Sequence, residues 1–444
     1  MTSWQMRLEI NAASSRSVGG TRWYQHTAVG IAGSDAATFV LEPGSSTFSR
    51  ADTGASVGVR MGALEGSGNI VGSSYASTAT YYIGGKNLDC TFSGGIYQGG
   101  IDTTAQTNTA IVKTGTGTLT LDGGVFTNIT SPDGLSYETN LVATNNFMNY
   151  VGSTTVSNGV LKLVVPIVLT NTINGYGPTP IALASPTAVL DVVSMGYTVS
   201  EIDNSVDPAV VTNIIRYTNS VIEIAPNQSL SGIGTIRGNV LADQGSTLNP
   251  GNVLGVVTNG FGTGLLTVTT NVTIAGRINM RINATNVPTA DKLVAGGNIT
   301  ISPSATLTVT NVGPGLINNT KYVLFSQAVS GFAVTNLPAT DPTGTTNYQW
   351  RDDLAVDGSI TLTNGGIIPA PPVLTNSFNA ASGELTLSWG EAYKGLYRLL
   401  AQTNTASTGL SNNWVEWTGA SSTNKVVISI DATKDTVFFR LVYP

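Results

Sequence analysis

Residues 229–257, SLSGIGTIRGNVLADQGSTLNPGNVLGVV, decide the fold. Short apolar runs alternate with Thr, Asn and Ser, and Gly or Asn-Pro-Gly interrupts them every few residues. Strict alternation sends successive side chains to opposite faces of an extended chain, so each run reads as a β-strand with one buried face. The interruptions come too often for a helix and too regularly for disorder. Read outward from here, most of the chain repeats the same grammar.

Composition agrees. With 444 residues the chain has room for two or three domains. Hydrophobic residues make up 41% of it, enough for a core, whereas charged residues make up only 10%. Neutral hydroxyls and amides must therefore keep the surface wet. That suits an all-β exterior, with Thr in strands and Asn and Gly in turns. The net charge is −6. No Lys/Arg cluster exists to neutralise phosphates, which argues against nucleic acid as a partner. No apolar run approaches the roughly 18 residues of a transmembrane helix. The single cysteine, Cys90, excludes an intramolecular disulfide. The opening MTSWQMRLEI has neither a basic n-region nor a long apolar h-region. Trp4, Met6, Leu8 and Ile10 alternate like a strand that needs a neighbour, so the expectation is a mature form or a fragment of a longer chain.

Four regions follow along the chain. Residues 1–60 hold several strands with polar turns, readable either as first coils or as a small sandwich. Residues 61–366 repeat strand and turn. GALEGSGNIVG (62–72) is similar to SLSGIGTIRG (229–238). In TGTLTLDGG, Leu119 and Leu121 face one way while Thr118, Thr120 and Asp122 face the other. TTVSNGVLKLVVPIVLTN (154–171) turns at Asn158-Gly159, and Asn249-Pro250-Gly251 reads as a corner. Residues 172–228 are less regular and read as coils with longer loops. IIPAPP (367–372) reads as a stiff linker. Residues 373–444 change to about six ordinary strands, the size of a small β-sandwich.

Two stretches carry a resemblance. Lys113-Thr114-Gly115, followed by TGTLTL and then TTVSNGVLKL, resembles the strand repeat of autotransporter passenger domains. GSTLNPGNVLGVV, ADKLVAGGNITISPSATLTVTNVG, KYVLFSQAVSGFAVTNLP and LAVDGSITLTNGG continue in the order of such passengers, over roughly 61–366. The resemblance implies a right-handed parallel β-helix whose stacked coils bury a continuous core. Residues 373–444 resemble a fibronectin type III-like module. An autotransporter would continue into a membrane barrel of many strands. The roughly 70 residues after the linker are too few for one, so the expectation is passenger-like shape without self-secretion.

Candidates for chemistry are sparse. His26 is the only histidine, so any Ser-His-Asp or Cys-His arrangement must include it. Its strand-like surroundings suggest a solvated or hydrogen-bonded side chain. Cys90, alternating with Leu88 and Phe92, reads as a small core residue. Arg351-Asp352-Asp353 is the tightest charged cluster and reads as a polar turn, although lyases of parallel β-helix fold use grouped acids and a base. Glu201 and Asp203 share a strand face without a basic partner. No zinc-ligand spacing and no calcium-binding repeat occurs, so no metal or cofactor is expected. Trp389 reads as core. Trp414 and Trp417, three apart, are the ligand candidates, because an exposed aromatic stacks on a sugar ring.

The sequence thus predicts an all-β protein, a right-handed parallel β-helix followed by a small β-sandwich. Its expected role is a non-catalytic stalk or adhesin-like scaffold, secreted or on a bacterial surface. Expected partners are an extracellular polysaccharide, another surface protein or a second copy. The alternatives are a polysaccharide-degrading enzyme, which requires acids and a Lys or Arg converging in a groove on one face, and carbohydrate binding by the last module.

Overall fold

The computed structural model describes residues 7–10, 20–25, 31–41, 46–51, 57–71, 78–97, 109–123, 140–144, 150, 152–164, 180–203, 210–218, 220–251, 262–367, 372–394, 397–418, 423–431 and 436–442. The protein is almost entirely β and divides into two compact units, Met1–Gly366 and Ile367–Pro444.

Among the described residues, the first unit is built on a sheet of nineteen strands, every pairing of which is parallel. Its strands recur in a fixed order, which the stretch quoted above shows in full. Ser229–Gly232, Thr235–Arg237 and Asn239–Ala242 follow one another, and then Thr247–Pro250 comes back beside Ser229–Gly232. The next three, Leu265–Val268, Val272–Ile274 and Arg277–Ile282, repeat the order and pair with their counterparts. Asn239–Ala242 belongs to a separate parallel sheet of four strands, together with Val221–Ile224, Val272–Ile274 and Ile299–Ile301. Strands of residues 1–60 join the same kind of array. Arg7–Ile10 pairs parallel with Ile31–Leu41, and Gly20–Gln25 pairs parallel with Ser46–Ala51.

Parallel in-register pairing stacks like on like. One buried file runs Val59, Tyr81, Ile111, Thr154, Ile181, Leu230, Leu248, Ile278 and Leu307, each directly opposite the next. All nine are at most 1% exposed. A second file runs Leu119, Leu161, Leu190, Ile236 and Val268. The alternation read in TGTLTL is present: Leu119 and Leu121 are fully buried while Thr118 and Thr120 are half-buried. One continuous apolar cluster extends from Ala37 to Leu362. The aliphatic hydroxyl in the first file, that of Thr154, meets the buried Tyr150 Oη at 2.6 Å, so neither is an orphan.

Irregular parts attach to this frame. Within the stretch expected to carry longer loops, Gly196–Asp203 and Val210–Thr218 form an antiparallel sheet with Asn140–Thr144. Asn249-Pro250-Gly251 is not wholly a corner: Asn249 and Pro250 close the strand Thr247–Pro250, and the turn starts at Gly251, whose φ is +74°. The φ that Pro imposes also fits extended chain, so it does not force the bend. Parallel pairing stops at Val334–Asn336. Beyond it LAVDGSITLTNGG supplies one helical turn, Leu354–Asp357, and a strand, Ser359–Asn364, held antiparallel between Lys321–Val323 and Gln349–Asp353.

Among its described residues, the second unit contains two antiparallel three-stranded sheets. Glu384–Ser388 lies between Thr375–Asn379 and Lys425–Ser429, and Arg398–Asn404 lies between Val415–Glu416 and Thr436–Val442. Its buried cluster of Leu387, Trp389, Leu399, Val426 and Ile428 draws on both sheets.

Candidate functional site

Alternation that buries Leu119, Leu161, Leu190 and Ile236 turns their neighbours outward, and parallel register lines those neighbours up. Thr91 lies opposite Thr120, Thr120 opposite Lys162, Lys162 opposite Asp191, and Asp191 opposite Arg237. Gly66 pairs with Phe92, which sets Glu65 beside Thr91. These six positions line a shallow groove of about 700 Å³ on the outer face of the large sheet. Adjacent strands lie about 4.8 Å apart, so the row spans about 24 Å from Glu65 to Arg237.

The groups in the row are engaged to different degrees. Arg237 Nη1 meets Asp191 Oδ2 at 3.5 Å, and Asp191 Oδ1 also accepts from Val193 N. Asp89, two residues before Thr91, accepts from Thr118 N at 2.6 Å, and that bond holds its carboxyl below the ordinary value. The side chains of Lys162 and Glu65 make no hydrogen bond or ion pair with any described residue. Cys90, beneath the groove, is buried, and loss of water there pushes its thiol upward, away from the reactive thiolate. The structure thus places acids, a Lys and an Arg in one groove on one face. None of these five was singled out by local sequence motif. The signal was there in weak form, as charges at the outward positions of recurring strands, but their alignment depends on register across strands of unequal separation.

Lys113 was also underread. The Lys of the Lys-Thr-Gly triplet is 1% exposed, and its Nζ donates to Thr114 O at 2.6 Å, Gly115 O at 3.0 Å and Asn158 O at 3.3 Å. Burial lowers it to about 8. It closes a corner from inside. Gly115 there has φ +67°, and a Cβ on it would lie 2.0 Å from Gly84 O, so only glycine fits.

A second hollow, of about 660 Å³, lies within the second unit, with Leu385, Ala401, Ile428 and Phe439 on its apolar walls and Asn413 and Asp431 on its rim. Trp417 lines it, packs against that unit's core and meets Phe439 edge-on at 6.1 Å. Trp414 lies outside the hollow with the Arg440 guanidinium 4.2 Å over its ring. The strand between them is only Val415–Glu416. Trp389 is buried, as read.

Arg351 Nε donates to both oxygens of Asp353 at 3.0 and 2.9 Å, Asp353 also accepts from Thr361, and Asp352 accepts from Leu354 N at the start of the helical turn. The trio is not the polar turn expected from sequence: it ends the strand Gln349–Asp353, paired with Ser359–Asn364, and its side chains are engaged there and at the helical turn that follows. Glu201 and Asp203 lie on the antiparallel strand Gly196–Asp203, on either side of a register irregularity. His26 lies outside the described residues. Among the described residues, no three His, Cys, Asp or Glu side chains converge to hold a metal, and no helix is long and apolar enough to cross a membrane.

No protein-family model matches the chain, and no curated protein matches it in sequence.

Proposed function

We propose that the first unit is a right-handed parallel β-helix of the passenger type, that the second is a small β-sandwich, and that the protein is a non-catalytic scaffold on a bacterial surface or outside the cell. The observation that carries this reading is the nine-rung buried file from Val59 to Leu307, backed by one apolar cluster along the same residues. A core built from like rungs needs no cofactor and no disulfide, and it makes a stiff platform on which an outer face is displayed. Self-association and a surface polysaccharide are the partners this reading favours.

The enzyme alternative takes its support from the groove, where Glu65, Asp89 and Asp191 lie with Lys162 and Arg237. Glycoside cleavage requires one carboxyl held protonated and a second placed to act with it. Asp89 is shifted the opposite way and is committed to Thr118 N, while Asp191 is committed to Arg237. That chemistry favours holding a ligand over cutting it.

The test is direct. The full chain, incubated with neutral and uronic polysaccharides, is expected to release neither reducing ends nor unsaturated products. Steady release of either overturns the non-catalytic reading. Protease shaving of intact source cells is expected to remove the protein, and full protection there overturns the surface reading.

A further inference from the structure

We infer that the groove from Glu65 to Arg237 is a binding site for a linear, uncharged polysaccharide laid across the strands. This rests on the scaffold reading only in taking the protein to meet such polymers outside the cell. Three observations carry it. The site is a single file of outward side chains in strict register, so its shape is linear, about 24 Å long, and suits an extended chain rather than a compact small molecule. Its second and third rungs are the hydroxyls of Thr91 and Thr120, which donate and accept equally well, as sugar hydroxyls do. At its two unengaged charged positions, Lys162 supplies donors and Glu65 supplies acceptors, so a chain of hydroxyls satisfies both.

Charge selects against the alternatives. The acids Glu65, Asp89 and Asp191 outnumber the bases Lys162 and Arg237 in the lining, and Arg237 is already paired. A polyanion, whether uronic acid polymer or nucleic acid, meets more repulsion than attraction there. No aromatic ring lines the groove, so no stacking platform adds to the polar contacts and each site binds weakly.

Affinity electrophoresis of the full chain tests this, with hydroxyethylcellulose and galactomannan as neutral probes and polygalacturonate as the anionic one. Retardation is expected in at least one neutral gel and not in polygalacturonate. Lys162→Ala is expected to weaken it about fivefold or more, the loss of one charged hydrogen bond, and Glu65→Gln to weaken it less. Both side chains face outward without internal partners, so both variants are expected to melt like the parent. Trp414→Ala, in the other unit, is expected to leave retardation unchanged. The inference is overturned by no retardation in either neutral gel, by stronger retardation in polygalacturonate, by retardation that survives Lys162→Ala, or by its loss in Trp414→Ala. Because the readout is retention, product release in the earlier assay sinks the scaffold reading without touching this one.

Discussion

Two turns of the first unit are each fastened by a cation, buried Lys113 at one and partly exposed Arg281 at the other, in opposite ways. At Lys113 the ammonium bonds only to carbonyls, those of Thr114, Gly115 and Asn158. At Gly251 the fastener is Arg281, which donates to that glycine's carbonyl at 2.5 Å and also to Asp291, whose side chain is fully buried. Asp291 accepts in addition from Gly264 N at 2.9 Å and Arg281 N at 2.8 Å. The Arg281–Asp291 pair thus ties Gly251 to Gly264, the arginine holding the first and the carboxylate the second. The Lys113 corner closes a tight turn and needs only a donor. The Gly251 turn uses a donor and an acceptor at once, so it recruits an ion pair. Burial disfavours the charged form in both places, lowering Lys113 and raising Asp291.

The largest effect expected from this contrast is at Asp291. Asp291→Ala leaves Arg281 without its counterion and Gly264 N without an acceptor, and is expected to destabilise the first unit by about 3–5 kcal/mol. Chemical denaturation measures it, and a loss under about 1 kcal/mol would show that the two turns are not fastened as differently as the contacts indicate. Next is Lys113→Met, which keeps the chain length, removes a buried charge and strands three carbonyls. A loss of about 1–3 kcal/mol is expected. A gain in stability would mean that the desolvation cost of the ammonium outweighs its bonds.

The smallest effect is a pH slope. Lys113 titrates at about 8 in the folded protein and near the ordinary lysine value, about 10.4, when unfolded. Between those values the unfolded chain holds a proton that the folded one has released. Stability contributed by this group therefore rises as pH rises through that window. The slope is expected to disappear in Lys113→Met and to persist in Asp291→Asn. Melting curves from pH 7.5 to 10.5 on the three proteins decide it, and an unchanged slope in Lys113→Met would reassign the titration.

Much of the local structure is legible without coordinates. Leu119 and Leu121 were assigned inward and Thr118 and Thr120 outward from alternation alone, because period two is a property of the extended backbone. The six strands of the second unit were legible for the same reason, bounded by Gly, Asn and Ser. Asn249-Pro250-Gly251 marked a turn to within a residue, Gly251 being where positive φ begins. The groove was not legible. Lys162 and Asp191 are neighbours across one strand gap, and so are Asp191 and Arg237, but different lengths of chain separate the two pairs. The antiparallel strands Gly196–Asp203 and Val210–Thr218 fall inside the longer interval. No fixed sequence spacing could reveal that row.

What the sequence determined by itself is the alternating, turn-punctuated, weakly charged strand chemistry, along with the glycines at corners that no side chain fits. Those follow from backbone sterics and from which residues leave water, and each is a local property. Tertiary structure decided which strands became neighbours. That choice brought Glu65, Lys162, Asp191 and Arg237 into one groove, took Lys113 inside and joined Arg281 to Asp291. Register acts between segments distant in the chain, and the buried surface shared by whole stacks of rungs fixes it, so no single stretch encodes it.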